Sequence, residues 1–275
     1  MKLQRNKFRI LCVIYGIGRG IDVSSASIVQ SLISPLRALG HEMDVLYVLN
    51  ELAYLDNPRS GESAALAPVG DNIFAGEEII RKNKKDLLNR RIFNQVKAVR
   101  DVHQDNYRTY ENLICQLGML HEATKQRDFF AYDRILLIRD DVILDAKRVD
   151  FSLLLRLSES SMVTTLWHWH GGISDRFALC SPNIGLLLAT RLAKVAEFIG
   201  SKGYLNGEHL VKFVLSGAAV RVFACDIRLH RVRLYGIVKE NFFLPCWRPL
   251  EFFRVLYAAL RFKIAAIRYK SGDNI

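Results

Sequence analysis

Cysteine is scarce in this chain and carries no pattern. The five residues, Cys12, Cys115, Cys180, Cys225 and Cys246, are odd in number and widely scattered. No CxxC spacing occurs, which argues against both a disulfide framework and a structural zinc site. A reducing compartment is the simpler setting. Long apolar runs are missing too: no stretch reaches the roughly 18–20 apolar residues of a membrane-crossing helix. The N-terminal run from Ile10 to Tyr15 is about six residues long, short for a signal peptide, and no small-residue cleavage site follows it. The expected location is therefore the cytoplasm, with membrane attachment left open. Internal repeats and low-complexity segments are also absent. What is present is ordinary globular composition, 50% hydrophobic and 24% charged over 275 residues. That suffices for one large α/β domain with a substantial core. The formal net charge of +11 calls for an anionic partner: nucleic acid, an anionic membrane surface or a polyanionic substrate. The bases form no recognisable RNA- or DNA-binding module, so nucleic acid is the weakest of the three and no nucleic-acid partner is expected.

Hydrophobic spacing predicts an alternating order of strands and helices. Phe8 to Tyr15 reads as a strand, Gly16 to Asp22 as a glycine-rich turn, and Ser24 to Leu39 as a helix. Ile28, Leu32, Leu36 and Leu39 recur at helical spacing, with Ser24 or Ser25 as the cap. Gly40 ends the helix, and Met43 to Leu49 completes a right-handed βαβ unit. Pro58 to Asp71 reads as a long loop. The strongly basic stretch from Ile79 to Val99 reads as a helix with most charges in water and one or two available to a phosphate. A helix over Tyr107 to Lys125 precedes a buried strand that ends at Asp140-Asp141. Further strands are expected at Met162 to Trp167, Arg176 to Cys180 and Ala219 to Cys225. Helices are expected from Pro182 to Ile199, opened by the proline, and around Glu208 to Leu215. The whole predicts a mixed, mainly parallel sheet flanked by helices. From Pro249 to Lys270 the character changes: Phe252, Phe253, Leu256, Leu260, Ile264 and Ile267 lie among Arg254, Arg261, Lys263, Arg268 and Lys270. Such a basic amphipathic helix suits an anionic membrane interface, a partner protein, or packing of its apolar side on the domain.

The residues that carry chemistry fall at the ends of these elements. Ile135 to Ile138 are consecutive apolar residues, as in a strand buried on both faces, and they stop at Arg139-Asp140-Asp141. Ligands of open α/β sheets bind beyond the carboxyl ends of the strands. Two acids there are placed to hold a divalent cation and, through it, a diphosphate; the bland alternative is a solvated acidic turn. Gly16, Gly18 and Gly20 follow the first strand, but Ile21 stands where a dinucleotide fingerprint needs glycine. A methyltransferase turn with Glu51 as its acid remains as an alternative. His168 and His170, between Trp167, Trp169 and a Gly-Gly turn, fall on one face if extended. They suit a sugar- or base-contacting loop better than a metal pair. Asp175 and Glu208 are the two candidate bases for a hydroxyl, and Arg176 could orient Asp175 or meet a phosphate.

Four stretches carry a resemblance. They are Ile14-Tyr15-Gly16 to Arg19 with the helix to Gly40 and Asp44; Asn112 to Leu117; Tyr132-Asp133 to Arg139-Asp140-Asp141-Val142; and Gly171-Gly172 through Asp175-Arg176-Phe177 to Pro182. In that order they resemble bacterial nucleotide-sugar glycosyltransferases with a GT-A-like, Rossmann-like fold, found among capsule and lipopolysaccharide biosynthesis proteins. The resemblance spans roughly residues 8 to 215. It implies one GT-A-like domain over residues 1–248 and a basic amphipathic tail over 249–275. Tyr15, Gly16, Arg19, Asn112, Arg139 and Arg176 would hold the donor, and Asp140 and Asp141 a Mg²⁺ or Mn²⁺ ion. Asp175 or Glu208 would serve the acceptor, a glycan or lipid-linked hydroxyl. Asp140 stands where the family has proline, Ser174 where it has asparagine, and Cys180 where it has glycine. A methyltransferase using S-adenosylmethionine and a non-catalytic binding protein are the other two classes that the sequence allows.

Overall fold

The computed structural model describes residues 7–74, 77–146, 149–156, 158–238, 253, 255–261 and 263–264. Strand β1 (Arg9–Gly16) leads through a glycine turn into α1 (Ile21–Ile28), a widened π-type turn (Val29–Ile33) and α2 (Ser34–Ala38). Strand β2 (Glu42–Glu51) follows, then a hairpin of β3 (Tyr54–Asn57) and β4 (Glu62–Ala65). Next come β5 (Glu78–Asn83), the short helices α3 (Lys84–Leu87) and α4 (Arg90–Val96), and the long α5 (Arg108–Gln126). The second half comprises β6 (Arg134–Arg139), β7 (Val142–Asp145), α6 (Phe151–Leu154), β8 (Ser161–Thr165) and β9 (Phe177–Cys180). It continues with α7 (Pro182–Ala189), α8 (Val195–Lys202), α9 (Gly207–Gly217), β10 (Arg221–Cys225), β11 (Arg228–Arg233) and β12 (Gly236–Val238).

The main sheet has the order β10-β8-β9-β6-β1-β2-β5, parallel except for β9, which runs against both neighbours. The strands alternate strictly between two cores. Ile10, Cys12 and Ile14 of β1 face Ile28, Leu32 and Leu36 of the first helical layer. Leu11, Val13 and Tyr15 face Cys115, Met119, Leu120 and Ala123 of α5. Burial on both faces is why these strands read as unbroken apolar runs. The chain leaves β1 for β2 on one side and later returns to place β6 on the other. That makes the β1/β6 boundary the switch point of the sheet, where a crevice must open. A small antiparallel sheet, β12-β11-β7, lies beside it.

Several local expectations are corrected. The basic stretch from Ile79 is not one helix. It begins as edge strand β5, parallel to β2, because Asn83 stops it by accepting bonds from the amides of Lys85 and Asp86. The expected loop at 58–71 includes β4, whose hairpin turns at Gly61 with φ +67°. Ser24 and Ser25 are not caps: the helix begins at Ile21 behind a left-handed Gly20, and Ser24 Oγ bonds back to the Gly20 carbonyl. Most of the expected tail lies outside the described residues. Within it, residues 255–261 are helical; Val255 and Ala258 are buried, whereas Phe253, Leu256, Tyr257, Leu260 and Ile264 are exposed. Among the described residues, no helix is long and apolar enough to cross a membrane. Four cysteines are buried and free, and Cys246 lies outside the described residues.

Candidate functional site

At the switch point, Tyr15 pairs with Arg139, and the Asp140 amide donates to the Tyr15 carbonyl at 3.0 Å. The glycine turn after β1 wraps around the Asp140 carboxylate. Gly18 N donates to its Oδ2 at 2.7 Å and Tyr47 Oη at 2.8 Å. A Cβ on Gly16 would lie 1.7 Å from Asp140 Oδ1, so only glycine fits. Burial, reinforced by the adjacent Asp141, pushes Asp140 up to about 7. The glycine turn therefore encloses a side chain of its own chain. Glu51, the acid that a methyltransferase site would use, is paired with Arg81 at 2.8 Å.

Asp141 has a different environment. Arg139 grips it with two bonds, Nε to Oδ1 at 2.9 Å and Nη2 to Oδ2 at 2.7 Å. Arg19 Nη2 donates to Oδ2 at 2.7 Å, and Arg233 stands 3.8 Å away. Burial opposes ionisation, but Arg139 and Arg19 outweigh it and hold the carboxyl far below the usual range. The second guanidinium nitrogen of Arg19 donates at 2.7 Å to Glu62, a buried hairpin carboxylate that also accepts from Ser60 Oγ and Leu234 N. Burial, then the neighbouring Arg19, lowers Arg233 to about 10. Three guanidiniums thus face two carboxylates, Asp141 and Glu62, in one ion-pair network.

Asp140 and Asp141, expected as a cation-binding pair, are held in this structure by donors of the chain itself. Both Asp141 oxygens accept from arginine, and Asp140 Oδ2 accepts from Gly18 and Tyr47. A Mg²⁺ or Mn²⁺ ion needs several free oxygens and a negative surrounding, and it would enter a cluster of three guanidiniums. Among the described residues no group of three or more His, Cys, Asp or Glu could hold a metal.

The opposite wall carries the expected bases. Helix α9 is started by Asn206, whose side chain accepts from His209 N at 2.9 Å, and this fixes Glu208 in its first turn. The loop before β9 packs against that turn: Ile173 N donates to the Glu208 carbonyl at 3.0 Å, and a Cβ on Gly172 would lie 2.0 Å from the Glu208 carbonyl carbon. Asp175 follows on the same loop. Tyr15 Oη donates to its carbonyl at 2.8 Å and Gln116 Nε2 to its Oδ2 at 3.1 Å. Burial, then the Asp175 charge, pushes Glu208 up to about 7, against the pull of Arg176 and Arg139. His168 and His170 both adopt left-handed backbone, φ +63° and +43°, so they do not share a strand face as expected. Trp167 and Trp169 are buried, donating to Asp226 and to the Thr165 carbonyl at 2.9 and 2.7 Å.

A cleft of about 750 Å³ joins the two walls, within the usual range for a ligand site. Tyr15, Gly16, Arg19, Arg139, Asp140 and Asp141 line one side, and Asn112, Asp175, Arg176 and Glu208 are also on its surface. The ten residues expected to hold donor or metal or to act as bases therefore meet in one place. Sequence reasoning missed Asn50, Glu62, Arg231 and Arg233. Asn50 ends a recognisable strand and was findable. The two arginines arrive on β11, which pairs with β7, a contact with no local signal. Arg19 Nε and Asn50 Oδ1 are buried without a hydrogen-bond partner among the described residues, which is costly unless a ligand supplies one. Comparison with protein-family models and with curated protein sequences found no match.

Proposed function

We propose that the chain is a glycosyltransferase of GT-A-like fold that moves a sugar from a nucleotide-diphosphate donor to a hydroxyl of a glycan or lipid-linked acceptor. The observation that carries this reading is the division of one cleft into two chemistries. An arginine-rich end at the sheet's switch point suits a phosphorylated leaving group, and Glu208, with its raised pKa, beside Asp175 suits a hydroxyl nucleophile. The step requires both at once. Glu208, assisted by its neighbour Asp175, takes the proton from the acceptor hydroxyl. The freed oxygen pair forms the new bond to the anomeric carbon, and the bond from that carbon to the phosphate oxygen breaks. The electron pair leaves with the nucleoside diphosphate, whose negative charge the arginines stabilise. Asn50 and Asn112, which line the cleft, supply hydrogen bonds for the nucleoside or sugar hydroxyls. The resemblance to surface-polysaccharide enzymes supports the acceptor class, and the cytoplasmic expectation belongs with it.

The test is thermal stabilisation by a panel of nucleotide sugars, followed by release of nucleoside diphosphate from the one that stabilises. Glu208→Gln should keep the stabilisation and lose turnover by about 10²- to 10⁴-fold. Stabilisation by S-adenosylmethionine alone, with none by any nucleotide sugar, sinks the proposal.

A further inference from the structure

We infer that the cleft holds the diphosphate of its ligand with arginines alone, without a bridging divalent cation. The inference deepens the transferase reading and rests on it for the identity of the diphosphate as part of a nucleotide. It starts from the sign of the site. Arg19, Arg139 and Arg233 outnumber Asp141 and Glu62, and Arg231 adds a further guanidinium to the cleft lining. An arriving cation meets net repulsion, whereas an arriving diphosphate meets an unbalanced positive charge. Arg19 Nε, buried and unpartnered among the described residues, marks a donor awaiting an acceptor. Asp141 then acts as the internal counter-ion that keeps like-charged arginines packed at one point. Guanidinium forks match phosphate oxygens bidentately, which an ammonium or a hydrated cation does not reproduce.

Binding of inorganic pyrophosphate and of a set of nucleoside diphosphates to the full chain, measured by calorimetry in EDTA and again with Mn²⁺, tests this. Equal affinity in both media is expected, with a loss of about 10- to 100-fold in Arg233→Gln. Arg231→Gln, on the same strand, is the second variant should the first not fold. Binding that requires Mn²⁺, or that survives both substitutions unchanged, overturns the inference and leaves the transferase reading standing. Metal-free pyrophosphate binding with no response to any nucleotide upholds the arginine site and overturns the nucleotide reading.

A second inference rests on the C-terminal helix. Its buried face, Val255 and Ala258, is already packed on the domain core. The exposed Phe253, Leu256, Leu260 and Ile264 follow one another at spacings of three or four, and Tyr257 falls three before Leu260, which places all five in one stripe at about 100° per residue. Arg261 and Lys263 flank that stripe on opposite sides, and the Arg261 guanidinium lies 4.4 Å over the Tyr257 ring. From residue 252 to 270 the sequence has five bases and no acid. We propose that this face docks on an anionic bilayer, with its apolar stripe in the interface and its bases at the headgroups. The wild-type chain should float with phosphatidylglycerol vesicles and not with phosphatidylcholine vesicles, and Leu256→Glu with Leu260→Glu should cut that binding at least about tenfold. No flotation with either lipid overturns the proposal. So does a concentration-dependent dimer that the two substitutions dissolve, which would make a second copy of the chain the occupant.

Discussion

Replacing Asp141 with asparagine separates two accounts of the acidic strand end, because they predict opposite responses to added ions. The side chain accepts two bonds from Arg139 and one from Arg19, with Arg233 at 3.8 Å. Asparagine keeps the shape, removes the negative charge and turns an NH₂ donor toward guanidinium donors. Breaking a buried ion pair on one side costs about 3–5 kcal/mol. The lower end applies here, since Arg19 keeps Glu62 and Arg139 is partly open to solvent. A loss of about 3 kcal/mol in a domain of this size lowers Tm by roughly 6–12 °C. The variant also carries one more uncompensated positive charge, so pyrophosphate should restore more stability in Asp141→Asn than it adds to the wild type. A ligand at one hundred times its Kd contributes about 2.7 kcal/mol, enough to recover most of the deficit. Urea unfolding of both proteins, with and without pyrophosphate in EDTA, measures each quantity. A destabilisation under about 1 kcal/mol refutes the counter-ion argument. Stabilisation of the wild type by Mn²⁺ that vanishes in the variant refutes it as well and restores the metal-ligand role.

Glu208 should set a pH dependence. Its carboxyl is raised to about 7 and must be ionised to accept a proton. Turnover should therefore fall below about pH 7. The same shift has a stability sign: between the ordinary 4.5 and about 7 the folded state holds a proton that the unfolded chain has lost, so stability declines as pH rises through that window. Asp140, raised to about 7 as well, contributes in the same window, so Glu208→Gln should reduce this slope in pH-dependent unfolding without abolishing it; an unchanged slope assigns it to Asp140 alone. Gly16→Ala forces a methyl into the Asp140 carboxylate at 1.7 Å and should cost at least about 1–3 kcal/mol of stability, read by thermal unfolding. Gly172→Ala meets the Glu208 backbone at 2.0 Å, so it should displace α9 and reduce turnover more than donor binding, a split that steady-state kinetics can read.

Much of the centre of the fold was legible because its signals are local. Ile10 to Ile14 and Ile135 to Ile138 are buried to 0–3% exposure, and burial on both faces writes itself into consecutive apolar residues. Helical spacing likewise predicts Leu113, Leu117 and Leu120 on the inner side of α5; Leu117 and Leu120 are buried and Leu113 is partly buried. The stretch from Ile79 was misread because Arg81 and Lys82 sit on an edge strand, where bases are tolerated and resemble a solvated helix face. The site residues were legible by position, at strand ends and after the glycine turn, but their partners were not. Nothing near Asp141 in sequence announces Arg19 or Arg233; only the pairing of β11 with β7 brings the latter within reach. A carboxylate's role depends on what surrounds it, and that is a property of the closed structure.

Glu62 gives this dependence a direction in time. Its carboxylate joins Arg19, from the first turn of the chain, to the Leu234 amide, a bond that spans 172 residues. At about 5–20 residues per second a ribosome needs roughly 5–20 s after making Asp141 to reach Arg233. In that interval β1, β2, β5 and β6 can pair, yet the cationic end of the cleft lacks its last wall. The cationic end of the cleft is thus completed only after the wall that carries Arg231 and Arg233 has been made, well after the central strands.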